Sequence, residues 1–174
     1  MPFEIGFRAS TRTEGPIGFS GGVARAMARI GARNDREAET VTLGSGEVVQ
    51  LVLDEDSGMA LIIADRFSEE LVALTWALAD ETATFVQAMD MTVATQTAGD
   101  PPAVLMNVFP TVWRLASPDE LHDPLHAAFL DDEAGDAELA AHDQARAQRR
   151  GSAPSAPSRN LFQRLSDALF GKAI

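Results

Sequence analysis

Four glycines and one serine between residues 15 and 22 are the first residues whose types and spacing could bind a ligand. The surrounding pattern predicts a loop between a strand and a helix, where backbone N–H groups can hold a phosphate. The spacing does not match GxGxxG, and no Lys-Ser/Thr pair follows, so the segment is not a P-loop. Either the loop only gives the backbone freedom to turn, or it binds a phosphate or another small ligand. The second interpretation assigns binding to Gly18, Ser20, Gly21, Gly22 and Arg25.

A second candidate is the pair His122 and His126, whose spacing would place both imidazoles on one face of a helix. Asp119 and Asp123 lie near enough in sequence to complete a set of metal ligands. Pro124 lies between the two histidines, however, and proline disfavours an unbroken helix. We therefore predict neither a metal site nor a cofactor.

A third candidate is an acidic turn formed by Asp54, Glu55 and Asp56. It lacks the remaining ligands of a calcium loop, so we interpret it as a solvated turn. Together with Glu69–Glu70 it could contact a basic partner. A nucleophilic serine would need a histidine base, yet all three histidines follow residue 120. We predict no catalytic residues, and the chain is more typical of a binding protein than of an enzyme.

The C-terminal residues carry the strongest binding signal. Residues 159–174 follow a Ser/Ala/Pro-rich spacer, and Leu161, Phe162, Leu165 and Leu169 fall within about 100° of one helical face, whereas Phe170 points away. Three interpretations are open: the helix packs on its own body, binds another protein or a second copy, or makes weak contact with anionic lipid beside nearby arginines. The partner-binding residues in this segment are Leu161, Phe162, Leu165 and Leu169.

The elements that would position these residues follow from hydrophobic periodicity and capping signals. Their order predicts an α+β fold, with a mainly antiparallel sheet and two helices on one face. Ser20 and Ser68 are the predicted helix caps, and residues 82–87 fit either a strand or a continued helix. The predicted strands are 3–8, 40–43, 47–53, 59–64, 103–109 and 111–115, and the predicted helices are about 21–30 and 69–79.

The chain divides into three predicted parts: a globular domain at 1–130, an extension with a linker at 131–158, and an amphipathic helix at 159–174. Residues 118–130 are predicted as one or two short helices, with a new helix start at Asp123-Pro124. Residues 131–150 fit either a solvated helix or a disordered segment.

Charge and composition exclude several functions. The net charge of −12 argues against general nucleic-acid binding, which needs a cationic face. The charge is unevenly spread, since residues 117–143 hold nine acids and no Lys or Arg, whereas residues 144–174 hold six basic residues and one acid. The chain has no cysteine, which excludes disulfides and thiolate metal sites.

Location and overall function follow as expectations. No apolar run approaches the roughly 18 residues of a membrane span, and the first residues lack a signal-peptide pattern, so we expect a cytoplasmic protein. Abundant Arg and Ala are typical of a GC-rich bacterial genome. The sequence as a whole predicts a non-enzymatic protein–protein interaction module of the adapter, accessory or immunity type. It would dock on a basic partner through an acidic surface and its C-terminal helix.

Overall fold

The computed structural model describes residues 2–101, 103 and 112–150. Within these residues the chain has an α+β fold in which one sheet is covered by helices. The elements are β1 (Phe3–Ala9), α1 (Gly15–Ile30), β2 (Arg33–Asp35), β3 (Thr40–Thr42), β4 (Val48–Asp54), β5 (Met59–Ala64), α2 (Glu69–Thr82), β6 (Thr84–Ala88), β7 (Met91–Thr95), β8 (Trp113–Leu115) and α3 (Pro118–Arg150).

Among the described residues the sheet has eight strands in the order β2-β3-β4-β5-β1-β6-β7-β8. Every pairing is antiparallel except that of β7 with β8, which confirms the prediction of a mainly antiparallel sheet. The first strand lies in the middle, where Phe7 pairs with Ala60 of β5 on one side and with Val86 of β6 on the other.

One face of this sheet carries the main hydrophobic core. Phe3, Ile5 and Phe7 alternate along β1 as the sequence predicts, and each is at most 3% exposed. All three helices contribute apolar side chains to the same cluster as these residues. The α3 contribution is direct, since the rings of Phe3 and Phe129 meet edge to face at 5.3 Å. The two helices predicted on this face are therefore joined by α3, which begins within residues 118–130, the segment predicted to form one or two short helices.

Helix α1 is longer than the sequence predicts, and this corrects the prediction of a glycine-rich loop. The helix begins at Gly15, with Pro16 in its first turn, and runs unbroken to Ile30. A proline is already in the backbone conformation that a first helical turn requires. Phe19 is 1% exposed, and burying such a ring contributes about 1.5–3 kcal/mol, against roughly 0.5–1 kcal/mol for each helical glycine. Before the predicted start at about residue 21 the helix adds only the glycines Gly15 and Gly18, whose cost the burial of Phe19 offsets. The helix thus runs through Gly18, Ser20, Gly21 and Gly22, and Ser20 is no cap.

Helix α2 confirms the predicted start at Ser68 and resolves the uncertain residues that follow. It ends at Thr82, where Ala83 adopts the left-handed conformation with φ of 52°, and β6 begins at once. Neither β6 nor β7 shows apolar alternation, because all residues of both strands are buried. The opposite sheet face bears a small second cluster of Phe85, Ala94 and Ala98. Strands β2 and β7 were not predicted.

Helix α3 corrects the prediction that Pro124 ends one helix and starts another. It runs from Pro118 to Arg150 with Pro124 inside it. An internal proline costs about 3 kcal/mol, yet Leu121 and Leu125 on either side are at most 1% exposed. Burial of these side chains, with Ala128 and Phe129 one turn later, offsets that cost. The helix also crosses residue 130 without a break, while the division into three parts stays a prediction.

The remaining predicted elements lie partly or wholly outside the described residues. The edge strand predicted at 111–115 is present as β8 over Trp113–Leu115, at one end of the strand order, and residue 111 lies outside the described residues. The predicted strand at 103–109 lies outside the described residues except for Ala103. The linker after residue 150 and the terminal helix, with Leu161, Phe162, Leu165 and Leu169, also lie outside them.

Candidate functional site

The first turn of α2 forms one side of the candidate site. Ser68 has an extended backbone, and its hydroxyl accepts a hydrogen bond from the Leu71 N–H at 3.1 Å. The cap begins the helix with two acids, which the partial positive charge of a helix N-terminus favours. Glu70 accepts hydrogen bonds from the backbone and hydroxyl of Ser45. Glu69 instead has an 84% exposed side chain that contacts α3.

The first turn of α3 forms the other side. Ser117 accepts a hydrogen bond from the Glu120 N–H, and the Glu120 carboxylate accepts one from the Ala116 N–H at 2.7 Å. This reciprocal pattern resembles a capping box, and Pro118 occupies the first helical position, where proline is favoured. Ser117-Pro118-Asp119-Glu120 is thus the sequence signal that would have placed this helix start.

A cleft of about 400 Å³ lies between these two helix starts. Its apolar floor consists of Val72 and Ala73 on α2 and Pro118 on α3. Its rim is polar, with Glu69 on one side and Asp119 and His122 on the other. An apolar floor with a carboxylate rim suits a long cationic side chain, because the stem can lie on the floor while its charged end meets the carboxylates.

His122 joins the two sides of the cleft. Its Nε2 lies 3.2 Å from Glu69 Oε1, and its Nδ1 lies 2.9 Å from Asp123 Oδ1. The hydrogen bond to Asp123 and the negative charge of Glu69 raise the pKa of His122 above its usual value of 6.5. Both carboxylates therefore favour the imidazolium form at this position.

Aromatic contacts fix the position of this histidine. The ring of Phe67 meets His122 edge to face at 5.4 Å and lies 4.6 Å from the ring of His126. Phe67 in turn lies 5.9 Å from Phe129, which is part of the main core. The histidine pair is therefore on one helical face, as its spacing indicates, and that face rests on the core through Phe67.

In the described ion pairs, arginine side chains contact other carboxylates of the body. None of these pairs involves a carboxylate of the cleft. Arg25 and Arg29 pair with Asp80 and Glu81 on α2 at distances of 2.8–3.5 Å. Arg66 pairs with Glu47 at 3.4 Å. His122 is thus the cationic group that the described structure provides to Glu69 and Asp123. The described residues contain no group of three or more potential metal ligands.

The predicted acidic turn lies elsewhere in the fold. Asp54 ends β4, and its side chain accepts a hydrogen bond from the Ser57 N–H at 3.3 Å. Glu55 forms an ion pair with Arg36 at 3.2 Å. Met59–Ala64 separates this turn from the α2 side, and a strand of that length spans about 20 Å. The structure therefore does not bring Asp54, Glu55 and Asp56 together with Glu69.

One of the predicted ligand-binding glycines, Gly22, has a packing role in the described structure. A Cβ at Gly22 would lie 2.5 Å from the Glu81 carbonyl oxygen, so this glycine lets α1 approach α2 closely. Arg25 donates to the Glu81 carboxylate at 2.9 Å and to its carbonyl at 3.0 Å. The predicted loop is part of helix α1. Ligand binding stays a prediction for Gly18, Ser20, Gly21, Gly22 and Arg25.

Comparison of the chain with protein-family models, curated proteins and solved structures finds no match. None of the helices within the described residues is long and apolar enough to cross a membrane. Function is therefore inferred from the site itself.

Proposed function

We propose that this protein is a non-enzymatic docking module that binds a basic protein partner. The partner would present an arginine or lysine to the acidic cleft between α2 and α3, while the C-terminal residues Leu161, Phe162, Leu165 and Leu169 provide a second, apolar contact. Adapter, accessory and immunity-type proteins act in this way. A cytoplasmic location, a homo-oligomer and weak contact with anionic lipid stay predictions from the sequence.

The observation that carries this proposal is the position of Glu69, Asp119 and Asp123. The side chains of Glu69 and Asp123 are 84% and 95% exposed, and the described ion pairs assign them only a titratable histidine. Glu69 and Asp119 line the cleft, whose apolar residues could hold the stem of a cationic residue, and Asp123 contacts His122 at the edge of this group. Complementary charge of this kind raises the association rate and excludes acidic partners.

The cleft can be tested with a labelled hexa-arginine peptide and two charge-matched triple variants. The cleft variant combines Glu69→Gln, Asp119→Asn and Asp123→Asn, and the turn variant combines Asp54→Asn, Glu55→Gln and Asp56→Asn. Both variants change the net charge equally, so their difference reports local contact rather than the overall field. We expect the cleft variant to weaken binding by about threefold or more relative to the turn variant, measured by fluorescence anisotropy. Equal weakening would mean that only the net charge attracts the peptide.

The tail is tested separately with the full-length chain. Leu165→Asp with Leu169→Asp places charge on the predicted apolar face, and Arg164→Glu with Gln163→Glu serves as a polar-face control. Associations recovered from an extract of the native source should be lost only in the first variant. If both variants keep every association, the tail has no part in docking.

A further inference from the structure

The two ring nitrogens of His122 face two carboxylates on different segments. Nε2 meets Glu69 from α2, and Nδ1 meets Asp123 from α3 itself. An ionised carboxylate only accepts hydrogen bonds, and a neutral imidazole carries one N–H donor. A neutral His122 can therefore bond to one of the two carboxylates, whereas the imidazolium can bond to both.

We propose that His122 is a pH-sensitive bridge: as an imidazolium it ties Glu69 to Asp123 across the acidic cleft, and as a neutral imidazole it leaves Glu69 to a cationic partner. Only the effect on a cationic partner rests on the proposed docking function. The bridge itself depends on the geometry of the two helix starts.

The charged groups around His122 all act in the same direction. Glu69 faces it from α2, and Asp119 and Asp123 lie on its own helix. Phe67, which precedes α2, contributes an uncharged ring, and His126 is the other titratable neighbour. Among the described ion pairs no arginine reaches this group to compete with the imidazolium. The hydrogen bond to Asp123 and the negative charges therefore raise the pKa of His122, against a smaller opposing effect of desolvation.

Because the pKa of His122 is raised, the bridge is favoured at lower pH. A histidine whose pKa is raised on folding makes its full contribution to stability well below its ordinary value of 6.5, and it loses its charge as the pH rises through the raised value. The bridge is thus complete in mildly acidic solution and opens at higher pH. Loss of the imidazolium also removes a positive charge from the cleft, so a cationic ligand should bind more tightly there.

The bridge can be tested by NMR titration of the histidine side chains in the full chain. The His122 resonance should titrate above 6.5 in the wild type, and Glu69→Gln should lower its pKa. Glu70→Gln is the matched control, because Glu70 lies in the same helical turn but contacts Ser45 instead. Equal effects of the two substitutions, or no shift in either, would overturn the bridge.

The link to docking is tested with the hexa-arginine peptide between about pH 5.5 and pH 8. Binding to the wild type should tighten about two- to fivefold as the pH rises, and His122→Gln should remove most of this change. His126→Gln should keep it, because the two carboxylate contacts belong to His122. A confirmed bridge with no peptide binding at any pH would refute docking at the cleft while leaving the bridge intact. Unchanged pH dependence in His122→Gln would refute the link.

Discussion

The two acidic regions at opposite ends of β5 differ in how their carboxylates are used. In the turn after β4, Asp54 accepts a backbone hydrogen bond and Glu55 pairs with Arg36, so the charges stabilise the turn itself. At the cleft, Glu69 is highly exposed and shares His122 with Asp123, which is also highly exposed. Charge density alone does not distinguish the two regions. The groups that surround each carboxylate do, because an arginine pairs with Glu55 in the turn, whereas a titratable histidine pairs with Glu69 and Asp123.

The largest expected effect comes from removing the packing that holds α3, and with it the cleft, on the body. Leu125 is fully buried, so Leu125→Ala should lower the free energy of unfolding by about 2–5 kcal/mol. Leu130 on the same helix is 50% exposed, and Leu130→Ala should change it by less than about 0.5 kcal/mol. Chemical denaturation measures both values. Similar values for the two variants would mean that α3 does not depend on this contact.

The next-largest change in stability is expected where α1 packs against α2, the helix that carries one side of the cleft. Gly22→Ala would force a Cβ against the Glu81 carbonyl and should destabilise the protein by about 1–3 kcal/mol. At Gly21 the nearest atom to an added Cβ is a flexible Arg25 nitrogen at 3.5 Å, so Gly21→Ala should stabilise the helix by about 0.5–1 kcal/mol. Thermal unfolding shows whether each substitution raises or lowers the stability. Two variants of the same sign would contradict the helical packing of this segment.

A smaller change in stability is expected from removing a serine hydroxyl at each of the two acidic regions. Ser68→Ala removes the cap of α2 and should cost about 1 kcal/mol of unfolding free energy. Ser57→Ala removes only a weak 3.4 Å contact in the exposed turn and should stay within about 0.5 kcal/mol. Urea denaturation of both variants checks the difference. A larger loss for Ser57→Ala would reverse the structural comparison of the two regions.

The smallest expected effect is the pH dependence of stability that His122 adds. Because the pKa of His122 is raised on folding, the wild type should exceed His122→Gln in melting temperature at about pH 6, and the difference should shrink toward pH 8.5. Thermal scans at low ionic strength measure this difference. A difference that stays constant with pH would show that the imidazole contributes only by packing.

Several parts of the fold could be predicted because local signals and tertiary packing agree. The alternation of Phe3, Ile5 and Phe7 predicted β1, and Ser68 with Glu69 and Glu70 predicted the start of α2. Strands β6 and β7 gave no such signal. They are buried on both faces, and the turns beside them place Ala83 and Met89 at positive φ, where glycine would have marked a break.

The site could be predicted only in part. Glu69 was a candidate from its helix start, and the spacing of His122 and His126 indicated a shared helical face. The proline between them argued against that face, because a local rule gives no weight to the burial of Leu121 and Leu125. The meeting of Glu69 with His122 joins residues on two helices more than fifty positions apart, and no spacing rule reports such a contact.

The central position of β1 has a consequence for synthesis. This strand leaves the ribosome before both of its neighbours, β5 and β6, have been translated. At 5–20 residues per second, the delay before Ala64 emerges is roughly 3–11 s. During this time Phe3, Ile5 and Phe7 have no sheet partners, and exposed apolar strands of this kind promote aggregation. Slowing translation between residues 10 and 60 should therefore lower the soluble yield, or raise the requirement for a chaperone that binds nascent chains.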